Sequence, residues 1–192
     1  KQEFKALNKQ MPDYTEEQMD AISTYESGAY EEINKSLRSG VPLKPGDKGY
    51  KAMDDVAKVI SRAPKFDKPV VAYRGIRLSS ADEAKLVSSL EAAAKSGGLV
   101  QMNEFVSTSL DYKVAHKFSR GGEAKLIFEV ACKQGICLGS AEKELLLQRG
   151  SKFRVRGIKD NWTNEEMGNG FIVAENHRWK PDLLTYLDKK VK

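Results

Sequence analysis

The sequence runs to 192 residues, 40% hydrophobic and 31% charged, with a formal net charge of +5, enough chain for one well-cored domain and an ordinary composition for a globular protein. Most of the positive excess lies in residues 149–192, where ten basic side chains face six acidic ones, too thin a patch for a nucleic-acid footprint. No stretch approaches the apolar length that spans a bilayer, and Cys132 and Cys137 are too few for a disulfide scaffold and, with only His116 and His177 as further soft ligands, argue against a metal centre. The opening Lys1, with no secretory pattern after it, is read as a processed start.

The first 65 residues read as helical. In PDYTEEQMDAISTYES, Thr15 is a candidate N-cap before a Glu-rich first turn, and Met19, Ile22 and Tyr25 recur at spacings of three, so a helix is predicted from about Glu16. AYEEINKSLRSG repeats the logic with Tyr30, Ile33 and Leu37 and a stop at Gly40, and YKAMDDVAKVISRA places Met53, Val56, Ala57 and Ile60 before Pro64. After Pro69 the residues turn β-branched and aromatic. VVAYRGI, EFVSTSL, AKLIFEVAC, ELLLQR, KFRVRGI and GFIVAENHR are predicted strands, each bounded by Gly, Asn, Asp or Ser. Helical patches over about 81–94 and 111–119 interrupt them, and the Lys-rich LDKKVK end is expected to fray. This order predicts an α+β protein, one domain over 1–192, with a helical lobe over about 1–65 leading into a mostly antiparallel β-core over about 66–192.

Three short features stand in a set order: YRG at Tyr73 to Gly75, FVSTS at Phe105 to Ser109, and EKE at Glu142 to Glu144. Each alone has an ordinary reading. Arg74 suits a structural ion pair, and Ser107 and Ser109 suit an edge strand facing solvent. If EKELLLQR is one strand, Glu142 and Glu144 share a face, roughly 7 Å apart, and with Gln148 would make a solvated strand face.

Taken together with STSLDYKVAHKF, AKLIFEV and EKELLLQRGSKFRV, these features make the chain similar to the arginine–serine–glutamate class of bacterial mono-ADP-ribosyltransferases, which includes the enzymatic components of clostridial binary toxins and related type III effectors. The resemblance covers most of the chain. It implies an ADP-ribosyltransferase fold, with NAD held as co-substrate in a cleft of a split β-sandwich and no metal. It assigns Glu144 to the oxocarbenium-like centre formed when nicotinamide leaves ribose, a place where a fixed carboxylate stabilises charge. Arg74 is assigned to the phosphates, for which its planar fork is suited. Ser107 orients Glu144, Thr108 and Ser109 shape the strand beside it, Gly75 lets the cofactor approach the backbone, and Phe118 joins the cofactor site.

The resemblance also gives Glu142 a role. An arginine guanidinium has a pKa above about 12 and attacks only if a carboxylate takes its proton; in the class, Glu at this first position goes with arginine as acceptor. The implied partners are NAD and a host protein with an accessible arginine, for a monomeric secreted bacterial toxin or effector acting in the host cytosol, with no membrane segment and no nucleic acid. Two other readings stay open: a NAD glycohydrolase with water as main acceptor, and a catalytically silent binding module. In SRGGEA, Arg120 is a candidate phosphate contact on a Gly-rich loop, although two glycines also make a helix stop. Trp162 and Trp179 read as core residues, and CKQGICLGS, before Glu142, lacks the aromatic residue the class often carries there.

Overall fold

Thr15 opens its helix as the sequence predicts. Its hydroxyl accepts from Gln18 N at 3.2 Å while Thr15 N donates to Gln18 Oε1 at 2.9 Å, a capping box that starts α2 at Glu16–Thr24. The computed structural model describes residues 2–119, 124–139, 141–160 and 182–189. A short α1, Gln2–Asn8, precedes α2; the sequence pattern missed it because only Phe4 and Leu7 are buried, and those pack into the sheet's core. A five-residue kinked segment, Tyr25–Ala29, with non-helical backbone at Ser27 and Gly28, joins α2 to α3, Tyr30–Ser39. Gly28 turns the chain there with φ +113°, and Gly40 ends α3 at φ +72°, both in the region that favours glycine. Helix α4, Tyr50–Arg62, completes the lobe.

The remaining elements are β1 Val70–Leu78, α5 Ser80–Ser96, β2 Leu99–Met102, β3 Val106–Ser109, α6 Tyr112–Ser119, β4 Ala124–Cys132, β5 Ile136–Leu138, β6 Glu144–Leu147, β7 Ser151–Asp160 and β8 Asp182–Lys189. They form an eight-stranded sheet in the order β2-β7-β8-β4-β1-β3-β6-β5. Every pairing is antiparallel except that of β7 with β8. Where β1 pairs with β4 over nine positions, it meets β3 only through Tyr73 and Ser109, so the sheet is split at that seam. The short β2 and β5 escape periodicity, and the first half of LDKKVK does not fray: Leu187, Asp188 and Lys189 pair with β4 as part of β8, while residues 190–192 lie outside the described residues. The predicted strand GFIVAENHR, with His177, Trp162 and Trp179, lies outside the described residues.

The leucine run of β6 explains how lobe and sheet meet. Leu145 and Leu147 enter a core with Ala72, Val106, Phe128 and Phe153, while Leu146 enters a second core with Tyr25, Ile33, Val56, Ile60 and Phe105 from the helical side. A strand buried on both faces reads as a continuous apolar run instead of an alternation. Each such leucine is worth about 1.5–3 kcal/mol of burial. The face shared by Glu144 and Leu146 is therefore turned toward the helices, and the solvated strand face that is the ordinary reading of an isolated E-x-E does not form.

Gly75 sits where α6 crosses β1. A Cβ there would lie 1.7 Å from Ala115 O and 3.1 Å from Ser119 N, so on that face glycine admits the helix backbone. Gly75→Ala is expected to destabilise the fold by about 1–3 kcal/mol or more, because backbone on both sides must shift; a denaturant midpoint equal to that of the parent protein would refute the packing argument.

Candidate active site

The register of β3 against β6 builds the centre. Val106 and Thr108 point into the first core, Thr108 Oγ1 donating to Leu145 O at 2.6 Å, so Ser107 and Ser109 face the helical lobe. Ser109 pairs with Glu144 and Ser107 with Leu146, which sets Ser107 diagonal to Glu144. Ser107 Oγ donates to Glu144 Oε1 at 2.5 Å. Burial pushes the Glu144 carboxyl above the usual carboxylate range; the Ser107 hydrogen bond opposes this, and the charges of Glu142 and Glu26 add to it. Ser107 and Glu144, 37 residues apart, are thus brought together, while Thr108 serves the strand pairing.

Glu142 is not on the strand. Strand β6 begins at Glu144, and residues 141–143 form a turn in which Lys143 has φ +48°. The side-by-side strand geometry is corrected for that reason: a left-handed residue between the two glutamates breaks the extended repeat. Ser109 Oγ donates to Glu142 O at 2.6 Å, and the Glu142 side chain is exposed.

Arg74 lies on β1 and its Nη2 donates to Glu104 Oε1 at 3.3 Å, the two side chains 17% and 13% exposed. Burial lowers the guanidinium pKa, Glu104 opposes, and the nearby charge of Arg38 lowers it further. The Arg74 charge is thus met by Glu104, which is the ordinary ion-pair reading of a strand arginine, and Arg38 is an exposed residue of α3. Tyr25 forms the wall on the lobe side. Its ring meets Phe105 edge-on at 5.6 Å, and its hydroxyl accepts from Asn34 Nδ2 at 3.1 Å, while Asn34 Oδ1 accepts from Phe105 N at 3.1 Å. Burial, with the charge of Glu144 a smaller cause, pushes the Tyr25 hydroxyl up to about 12. Sequence reasoning missed Glu104, Asn34 and Arg38. The polar residues at 34 and 38, four apart on an amphipathic helix, were the available signal; for Glu104 there was none beyond its place before FVSTS.

Phe118 lies on α6, 49% exposed, and Arg120 lies outside the described residues. A cavity of about 430 Å³ is lined by Gly28, Ala29, Glu31, Glu32, Lys35 and Lys48 and touches none of Arg74, Ser107 or Glu144. A second cavity, about 200 Å³, is lined by Arg74 and Glu104 together with Leu86, Leu90, Val100 and Phe128, and the Tyr25 hydroxyl lies within electrostatic reach of both Arg74 and Glu144. Among the described residues no group of three or more His, Cys, Asp or Glu is placed to hold a metal, and no helix is long and apolar enough to cross a membrane.

Residues 1–177 match the profile of the family described as ADP-ribosyltransferase exoenzyme. The chain belongs to that family. Solved structures with the same fold include Vis toxin, an ADP-ribosyltransferase from Vibrio splendidus, 22% identical with a TM-score of 0.64 over 100% of this chain and 82% of that one. C3stau2 from S. aureus, solved with NAD, is 19% identical with a TM-score of 0.60 over 97% and 92%. The enzymatic component C2-I of the C2 toxin from Clostridium botulinum is 20% identical with a TM-score of 0.56 over 91% and 44%. No curated protein sequence matches the chain significantly. As an ADP-ribosyltransferase exoenzyme it uses NAD as co-substrate.

Proposed function

We propose that this exoenzyme is a mono-ADP-ribosyltransferase that moves ADP-ribose from NAD to an arginine of a host protein, as a monomeric secreted bacterial toxin or effector acting in the host cytosol. The observation that carries this reading is the Ser107–Glu144 hydrogen bond, at 2.5 Å, with the exposed Glu142 on the turn two residues before Glu144. Arg74 and Arg38 take the diphosphate, with Gly75, Thr108 and Ser109 as the supporting backbone and Phe118 as an exposed aromatic contact. The bond between ribose C1 and the nicotinamide nitrogen breaks with its electron pair leaving on nicotinamide, and Glu144 stabilises the positive ribose. The acceptor guanidinium nitrogen then bonds to C1 and gives a proton to Glu142. Agmatine, a small guanidino compound, is bound in a structure of Vis, which supports this class of acceptor.

Incubation with labelled NAD and a host lysate, with the modified residue mapped, tests the reading: a label on arginine is expected, and a label confined to another residue type, or nicotinamide released with no protein labelled, overturns it. The second outcome favours the glycohydrolase alternative. A pH profile tests the centre itself. Glu144 must be ionised to stabilise a cation, so activity is present above its raised pKa and lost as pH falls through it. Ser107→Ala removes the hydrogen bond that favours the charged form, so the acidic limb of the NAD-cleavage profile is expected to move to higher pH. An unmoved limb would separate Ser107 from Glu144 ionisation.

A further inference from the structure

We propose that Asp111 and Lys143 form a latch that aims Glu142 at the acceptor, so that both are positioning residues for ADP-ribosyl transfer and not for NAD cleavage; the proposal rests on the acceptor role given to Glu142 above. Lys143 is the one non-glycine residue among those described with positive φ, at +48°, a conformation its own side chain opposes. Contacts from a neighbouring segment hold it there. Lys143 Nζ meets Asp111 Oδ2 at 2.9 Å, and Leu110 N donates to Lys143 O at 3.1 Å. Ser109 Oγ donates to Glu142 O at 2.6 Å and accepts from Asp111 N at 3.0 Å.

Asp111 divides its carboxylate between two tasks. Oδ1 accepts from Lys113 N at 3.1 Å where α6 begins, and Oδ2 holds Lys143. The ion pair is only partly exposed, 22% and 30%, and the Lys143 hydrogen bond holds the Asp111 carboxyl below the usual range. The end of β3, the start of α6 and the turn before β6 are thereby tied at one point. The exposed Glu142 carboxylate makes no ion pair among the described residues, so the turn's backbone sets where it points. Glu144 is held separately, through Ser107. The two glutamates of one motif therefore answer to different supports, and disturbing the latch alters transfer while leaving the donor side in place.

The test uses the full chain and two rates, nicotinamide release without acceptor and ADP-ribosylation of agmatine. Asp111→Asn keeps a side-chain oxygen to cap α6 and loses the charge that holds Lys143; Lys143→Ala removes the other partner. For both, transfer is expected to fall about tenfold or more while hydrolysis stays within about threefold, the size of effect that misplacing one reacting group produces. Lys143→Arg, which keeps the ion pair, is expected to hold the parent ratio, and a melting curve verifies folding of each variant. Equal loss of both rates in Asp111→Asn and Lys143→Ala, or no change in either, overturns the latch. A parent protein that cleaves NAD but labels no agmatine overturns the acceptor reading and the latch with it, whereas one that labels agmatine with unchanged variant ratios overturns the latch alone.

Discussion

Glu144→Gln is expected to lower NAD cleavage, with or without an acceptor, by a factor of about 10² or more in a protein that still folds. Glutamine matches the shape of glutamate and still accepts from Ser107 Oγ, so the pairing of β3 with β6 and the burial of Leu145 to Leu147 are undisturbed. What disappears is the negative charge that the proposed mechanism sets beside the ribose carbon as nicotinamide leaves. That charge acts in a partly buried place, where burial already raises the carboxyl pKa and where an electrostatic contact is worth more than in water. The measurement is nicotinamide release under saturating NAD, beside a melting curve. Release close to that of the parent protein from a folded variant would remove Glu144 from the chemistry.

Glu142→Gln should fail differently. It leaves Glu144, Ser107 and Arg74 in place, so hydrolysis by water should persist within about tenfold, while labelling of agmatine or a protein arginine should fall much further. Glutamine cannot take the guanidinium proton or attract its charge. The exposed position of Glu142, on the turn and off the strand, makes the separation cleaner than two neighbouring strand carboxylates would, because replacing it alters no buried contact. Equal loss of the two activities would assign Glu142 to the donor side, and no loss would leave it a surface residue; either result defeats arginine as the acceptor on these grounds.

Much of this was legible in the sequence. The Thr15 cap, the stop at Gly40 and the spacing of Val56, Ala57 and Ile60 determine helices through interactions within a few residues, and β-branched runs such as VVAYRGI determine strands in the same local way. The order of YRG, FVSTS and EKE was enough to point to the family that residues 1–177 match. Only the tertiary structure decided which groups meet: Asn34 with Phe105 N, 71 residues away, Arg74 with Glu104, 30 away, and Lys143 with Asp111, 32 away. It also moved Glu142 off the strand, against an extended pattern that local propensity favoured, because Asp111 and Ser109 hold the turn from outside it. Gly75 makes the same point. Its smallness is visible in the sequence, but the helix backbone it makes room for is 40 residues further along. Propensity and periodicity act between near neighbours in the chain, whereas hydrogen bonds, ion pairs and close backbone contacts between distant segments exist only once burial has set the register of strands and helices.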